Sequence, residues 1–254
     1  MTRPVALVTG ASAGLGVDFA RQLSADGARL VLVARRKDRL DALAAELGGA
    51  RAVELDLSVP EAARRLMADL QAHGEHVDLL VNNAGFGLAG QFADQEPARL
   101  RQMIDLNCGV LTDLARAVVP GMIERRRGGI LNVASTAAFQ PGPGMAAYFA
   151  TKSYVLSLSE ALHEELKPHG VRVTCLCPGP TRTEFGEVAG WGGRFNKAME
   201  RIAMDSAPVV AAGLNGLQKN QAIVVTGGLN KAGAVATRFL PRALVRRIAG
   251  SLKM

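Results

Sequence analysis

Short, wholly apolar runs recur along the chain, separated by longer stretches in which apolar positions fall three and four apart. Val5-Ala6-Leu7-Val8, Leu30-Val31-Leu32-Val33 and Leu79-Leu80-Val81 are of the first kind. Runs this short, without polar alternation, are the pattern of strands buried on both faces. Strands are expected near residues 5–9, 29–34, 51–55, 78–82, 129–134, 171–177 and 222–225. Helices are expected between them, for instance from Val17 to Asp26, Lys37 to Leu47 and Pro60 to His73. This alternation predicts an α/β fold, a doubly wound parallel seven-stranded sheet of the Rossmann type, because right-handed crossovers lay helices on both faces. No linker or internal repeat divides the chain, so residues 1–254 form a single domain in this reading.

Two segments break the rhythm. Residues 184–205 hold Phe185, Trp191, Gly192-Gly193, Phe195 and Met199 after the sixth strand, on the side where such sheets bind ligands. This stretch is expected to be a small substrate lid. Residues 238–254 form a basic amphipathic tail. Pro241 can open its helix, and Leu240, Leu244, Val245, Ile248 and Leu252 make an apolar stripe beside Arg242, Arg246 and Arg247. Three placements stay open for it: weak contact with an anionic membrane surface, packing on a neighbouring subunit, and packing on its own domain.

Composition narrows the class. The chain has 254 residues, 48% of them hydrophobic, enough for one large core. None of the strand-like runs approaches the ~20 apolar residues that cross a bilayer. The first strand begins so near Met1 that no signal peptide is expected. Cys108, Cys175 and Cys177 are too few, and odd in number, for a disulfide framework, which fits a cytoplasmic protein. Cys175-x-Cys177 lies in a strand-like run and His73-x-x-His76 lacks partner ligands, so no metal site is expected. The formal net charge is +7, but from residue 206 onward there are seven bases and no acid. The excess is therefore local to the C-terminal part, and no nucleic-acid partner is inferred. Arg125-Arg126-Arg127 reads as a helix end complementing the dipole, with an acidic carrier protein as the alternative.

Candidate chemistry sits in two places. Thr9-Gly10-Ala11-Ser12-Ala13-Gly14-Leu15-Gly16 follows a strand and precedes a helix, the setting in which a glycine-rich turn holds a pyrophosphate at the helix N-terminus. At the end of the second strand stands Ala34-Arg35-Arg36-Lys37 where an acid would favour a free ribose 2′-hydroxyl. Bases are unfavourable at a helix start, so a cluster there points to an anion. Paired guanidinium hydrogen bonds suit a 2′-phosphate. NADP(H) is therefore expected in preference to NAD(H), with Arg35 the first contact and Arg36 the second. Tyr148 and Lys152, four apart, share one helix face, and Ser135 ends a buried strand upstream. A free phenol with a pKa of about 10 is a poor base, and a neighbouring ammonium and the cationic nicotinamide ring are both expected to acidify it.

The spacing Thr-Gly-x-x-x-Gly-x-Gly resembles the short-chain dehydrogenase/reductase family. The resemblance runs in order through Asn82-Asn83-Ala84-Gly85, Asn107, Ser135, Tyr148-x-x-x-Lys152 and Pro178-Gly179-Pro180-Thr181-Arg182-Thr183, nearly the whole chain. It implies that Gly10, Ser12, Gly14, Leu15 and Gly16 cradle the cofactor. It also implies that Asp56 meets the adenine amino group with Leu57 beside it, and that Asn83, Ala84 and Gly85 lie along the adenosine ribose. Pro178, Gly179, Thr181 and Thr183 would hold the nicotinamide end. In the family's mechanism Tyr148 exchanges a proton with the substrate oxygen, Ser135 steadies that oxygen, Lys152 holds the nicotinamide ribose, and Asn107 positions a water linking Lys152 to solvent. The resemblance implies an oxidoreductase acting on CH–OH groups and a homo-oligomer, dimer or tetramer. Ala138, Phe139, Pro141, Met145, Phe149, Phe185, Trp191 and Phe195 then suggest an apolar pocket for a ketone, aldehyde or 3-oxoacyl substrate; no obvious arginine or lysine pair marks a carboxylate or phosphate substrate, with Arg194 and Lys197 in the lid left open for that role. The alternative is an NADPH-binding regulatory or membrane-peripheral protein with little turnover.

Overall fold

The computed structural model describes residues 3–251; within them the side chains of Arg194, Phe195, Asn196, Ala198 and Ser251 lie outside the described set, as does the whole of Leu252. Seven strands form: β1 (Val5–Thr9), β2 (Arg29–Ala34), β3 (Arg51–Glu54), β4 (Leu79–Asn82), β5 (Gly128–Val133), β6 (Val171–Cys177) and β7 (Ile223–Val225). All pair in parallel, in the order β3-β2-β1-β4-β5-β6-β7. Each strand lies within a residue or so of its expected place, because a run apolar on both faces has no other stable home. The helices are α1 (Leu15–Ala25), α2 (Lys37–Glu46), α3 (Ala62–Ala72), α4 (Pro97–Ile104), α5 (Leu111–Glu124), α6 (Ala146–Leu166), α7 (Phe185–Val188), α8 (Gly193–Ile202), α9 (Ser206–Gln218), α10 (Gly228–Phe239) and α11 (Arg242–Ser251).

Successive strand residues face opposite sides, which splits the core in two. Leu7, Val31, Leu80, Ile130 and Val173 meet Leu66, Leu70, Leu114, Met122 and Leu166 on one side. Val8, Leu32, Val81, Leu131 and Leu176 meet Phe19, Leu40, Val209, Val210 and Leu214 on the other. The reversal of strand order between β1 and β4 leaves a crevice above the strand carboxyl ends, where the glycine-rich turn and Ser135 both lie. A π-helical segment, Asp105–Val110, joins α4 to α5 without a break. The continuous run Pro97–Glu124 has the length and hydropathy to cross a membrane, but it packs on α3, β4, β5 and α6 of the domain.

The segment 184–205 is tied to the rest of the structure near both ends. Met204 donates its amide to Pro180 and accepts one from Arg182, while Arg182 also pairs with Asp205 at 2.7 Å. Ala89 donates to Ala189 at 2.8 Å across the cleft mouth. The tail departs from its expected stripe. Val245 and Ala249 turn inward and are buried on the chain's own domain, while Leu240, Leu244 and Ile248 stay exposed. The arginine triplet is in structural use: Arg125 donates to the Val77 carbonyl, Arg126 to the Pro168 carbonyl, and Arg127 pairs with Asp78.

Candidate active site

The first half of the site grows from the end of β1. Gly10 has a φ of 67°, the left-handed region that only glycine enters cheaply, and a Cβ there would stand 2.9 Å from Ala84 Cα. Gly16 opens α1 so close beneath this turn that a Cβ would lie 2.2 Å from the Gly10 carbonyl oxygen. Thr9 Oγ1 accepts the amides of Asn83 and Ala84, both at 3.0 Å, and Asn83 Nδ2 donates back to the Thr9 and Gly10 carbonyls. The glycine-rich turn and the Asn83–Gly85 turn thus brace one another. The Asn83 side chain serves as the brace.

At the end of β2 the two arginines part company. Arg35 is exposed, with its guanidinium 3.9 Å from the Asp56 carboxylate. Arg36 is engaged: it donates to Glu184 Oε2 at 2.8 Å and to Ser12 Oγ at 3.2 Å. Arg39 takes the other Glu184 oxygen at 2.6 Å. These hydrogen bonds from Arg36 and Arg39 hold the Glu184 carboxyl below its ordinary pKa. Burial pushes Asp56 up, yet hydrogen bonds from Ser58 and the Arg35 charge together leave it below its ordinary value.

The second half is built on β5 and α6. Ser135, just past β5, caps a 3-10 turn by accepting the Ala137 amide at 3.1 Å, and its hydroxyl also meets the Tyr148 hydroxyl. Lys152, one turn beyond Tyr148, donates to the Val133 carbonyl at 2.8 Å and lies 5.8 Å from the Tyr148 ring centre. Phe185 of the lid leans on the Tyr148 ring with centres 5.3 Å apart, and Trp191 meets Phe185 edge-on at 5.7 Å.

Burial governs both titratable groups. It pushes the Tyr148 phenol up to about 12 despite the Ser135 hydrogen bond, and it brings the Lys152 amine down to about 8 against the pull of the Cys175, Cys108 and Cys177 sulfurs. The sequence reading expected the amine to acidify the phenol. Desolvation overrides that effect here, since both charged forms lose water together.

Asn107 is buried in the π segment. Its Oδ1 accepts the Phe86 amide at 3.1 Å, and its Nδ2 donates to the Phe86 carbonyl at 2.9 Å and to Thr151 Oγ1 at 3.1 Å. The Asn107 side chain therefore braces the loop after Gly85. That loop also touches the lysine, because a Cβ on Gly85 would lie 3.6 Å from Lys152 Nζ.

One cleft of about 520 Å³ joins the two halves. Gly10, Ser12, Gly14, Leu15, Arg35, Arg36, Asp56, Leu57, Asn83, Ala84, Gly85, Ser135, Tyr148, Lys152, Pro178, Gly179, Thr181 and Thr183 all line it. Of the expected site residues, Gly16 lies beneath the turn and Asn107 behind Gly85. Lining residues that the sequence does not mark for the site include Phe86, Leu106, Thr136, Gln140, Val188 and, from the tail helix, Ala249. Glu184 had been noted only as the first lid residue.

The chain matches the family model described as short chain dehydrogenase over residues 4–190. It is 41% identical over 187 residues to an NADP-dependent 3-hydroxy acid dehydrogenase of Salmonella typhi, covering 72% of this chain and 75% of that one. Among solved structures it resembles a short-chain dehydrogenase from Sphingobium yanoikuyae in complex with NADPH, with 34% identity, a TM-score of 0.81, and 94% and 97% of the two chains covered. It also resembles the bulky-bulky ketone specific alcohol dehydrogenase from Comamonas testosteroni, with 29% identity, a TM-score of 0.77, and 96% and 97% covered.

Proposed function

Since this chain belongs to the short-chain dehydrogenase/reductase family, we propose that it is an NADP(H)-dependent oxidoreductase interconverting a carbonyl and an alcohol on an apolar substrate. The observation that carries this reading is the convergence of Ser135, Tyr148 and Lys152 on one end of a cleft whose other end is the glycine turn and Arg35. The residues present fit a dinucleotide. The turn closes this tightly only because Gly10 and Gly16 carry no Cβ, which leaves its amides facing the cleft at the start of α1, and the Arg35 guanidinium is exposed at the cleft edge. Gly10 to Leu15 would hold the pyrophosphate, Asp56 and Leu57 the adenine, and Lys152 the nicotinamide ribose. Thr181 and Thr183 would hold the carboxamide end. When bound, the nicotinamide supplies or accepts the hydride.

The chain's own part is the proton. Ser135 Oγ donates a hydrogen bond to the substrate oxygen, which steadies the charge that develops there. The Tyr148 hydroxyl gives that oxygen its proton in reduction and recovers it in oxidation. Phe185 packs on the Tyr148 ring and Trp191 packs behind Phe185, which lends this end of the cleft an apolar wall. Asn107 acts as a positioning residue behind Lys152. Oligomer formation and a cytoplasmic location, in keeping with three free cysteines, belong to the same proposal.

The pH dependence has a definite sign. A phenol pushed up to about 12 keeps its proton throughout the neutral range, while Lys152 loses its charge as pH rises through about 8. Carbonyl reduction is expected to be level from neutral pH downward and to fall above pH 8. Alcohol oxidation, which needs a proton removed, is expected to rise with pH. Profiles of kcat/KM in both directions check this; reduction that speeds up in alkali would count against it.

The arginine pair makes a separate prediction. With Arg36 held by Glu184 and Ser12, Arg35 is the freer cation for a 2′-phosphate. Arg35→Ala is expected to raise the KM for NADPH by about 10–100-fold, the worth of a hydrogen bond to a charged group, and to leave that for NADH nearly unchanged. Equal effects on both cofactors would show that Arg35 does not read the phosphate.

Apolar walls support the substrate class. Met145, Phe149, Phe185, Val188 and Trp191 line the Tyr148 end, and among the described residues Lys152 is its only cationic side chain. A buried carboxylate without a counter-charge is costly. Loss of NADPH absorbance across a substrate panel tests this. Bulky ketones and 3-oxoacyl thioesters are expected to turn over, and activity confined to free hydroxy or oxo acids would refute the apolar assignment.

A further inference from the structure

The outer face of α10 and α11 is unlike the rest of the surface. Leu229 and Phe239 are 90% and 82% exposed, and Val235, Leu244 and Ile248 are exposed around them. The remaining outward positions on these helices are alanine, glycine, or the bases Lys231, Arg238, Arg242, Arg246 and Arg247. No carboxylate side chain occurs anywhere from residue 206 onward. The inward face is already occupied: Ala234, Val245 and Ala249 are buried on the domain. Gly250 lies close to Pro143, where an added Cβ would come within 3.6 Å, so α11 rests on the domain along this side. Ala249, on the inward side of α11, lines the cleft, so the helix that carries the outer face also borders the cleft.

We propose that this α10–α11 face docks on the surface of an anionic lipid bilayer. Large apolar groups interleaved with long basic side chains match an interface that is apolar below and negatively charged above. Lysine and arginine stems lie along the acyl boundary while their heads stay at the phosphates. A second copy of the chain fits poorly. A two-fold contact through this face would bring guanidinium groups against guanidinium groups with no carboxylate in the patch to separate them. Docking here would hold the cleft beside the membrane from which an apolar substrate partitions. The binding claim stands without the proposed reaction, because it is read without turnover.

The test is co-sedimentation of the full chain with vesicles of phosphatidylcholine alone and of phosphatidylcholine mixed with phosphatidylglycerol. The vesicle-bound fraction is expected to be at least about tenfold higher on the anionic vesicles and to fall as salt screens the charges. Two variants separate the causes: Leu229→Ser with Phe239→Ser removes apolar anchors, and Arg242→Gln with Arg246→Gln and Arg247→Gln removes charge. Each is expected to lose most of the binding while thermal midpoint and any reductase rate in solution stay unchanged. The proposal is overturned if the unaltered chain stays in the supernatant, or if it binds both vesicle types equally. It is also overturned if light scattering shows a dimer that the Phe239→Ser variant splits, or if only an acidic protein, and no vesicle, is retained on this face.

Discussion

Tyr148→Phe is expected to lower kcat for carbonyl reduction by about 10²–10⁴-fold, the range for losing a positioned general acid. One oxygen is removed from a side chain otherwise held by its ring. The contacts to Phe185 and Phe149 do not involve that oxygen, so the ring stays where it is. Ser135, the hydroxyl that draws the phenol's pKa down, keeps the Ala137 amide and is not stranded by the change. Stability is expected to move by only about 1 kcal/mol, the net worth of one hydrogen bond. NADPH titrated by fluorescence should bind the variant as it binds the parent. Stopped-flow measurement with saturating cofactor then isolates the chemical step, and an undiminished rate would remove the proton-transfer assignment altogether.

Gly16→Ala is the second large effect, and two principles oppose each other there. Gly16 is helical, and alanine is favoured over glycine inside a helix by about 1 kcal/mol. Its Cβ, however, would stand 2.2 Å from the Gly10 oxygen and 2.8 Å from the Gly10 carbon. Both are backbone atoms, so no side-chain rotation relieves the clash. Overpacking of this kind costs about 1–3 kcal/mol, which exceeds the propensity gain. The turn must lift away from α1, and the cradle it forms goes with it. A fall in thermal midpoint together with a loss of NADPH affinity of at least about tenfold is expected; 1.4 kcal/mol of distortion passed to binding suffices. Gly233→Ala in α10 serves as the control, because a Cβ there meets nothing within 4 Å. It should show the small stabilisation that Gly16→Ala forfeits. If Gly16→Ala were stabilised too, the tight packing of turn on helix would not be what the site depends on.

Much of this architecture was legible before any coordinates. Apolar runs on the scale of β1, β2 and β6 can satisfy their backbone only inside a sheet, and the residues after such strands fall at one edge by topology alone. That topology accounts for the glycine turn and Ser135; the grouping of Ser135 with Tyr148 and Lys152 came from the resemblance to the short-chain dehydrogenase/reductase family, and all of them line one cleft. Pattern failed where contacts are distant or solvent decides. Glu184 pairs with Arg36 and Arg39 about 145 residues away, and no local spacing signals that. The tail stripe was read on five positions, but three-dimensional packing selected Val245 and Ala249 for the inner face. Counting neighbouring charges suggested an acidic phenol; counting lost water reverses the sign.

Aliphatic strands in parallel carry a hidden ambiguity, since one valine or leucine fits beside another nearly as well after a one-residue slide. In this molecule Asn82 and Asn132 stand opposite each other in the β4–β5 register and exchange an amide hydrogen bond at 3.0 Å; Asn132 then donates to Ser159 of α6 at 2.9 Å. Shifting either strand would orphan amides that are almost fully buried, each costing about 1–3 kcal/mol. These three polar side chains thus act as an index mark. They lock the strand that leads into Ser135 against the helix that carries Tyr148, so the spacing of the acid and its partner is set by a buried ruler in the sheet beside the cleft.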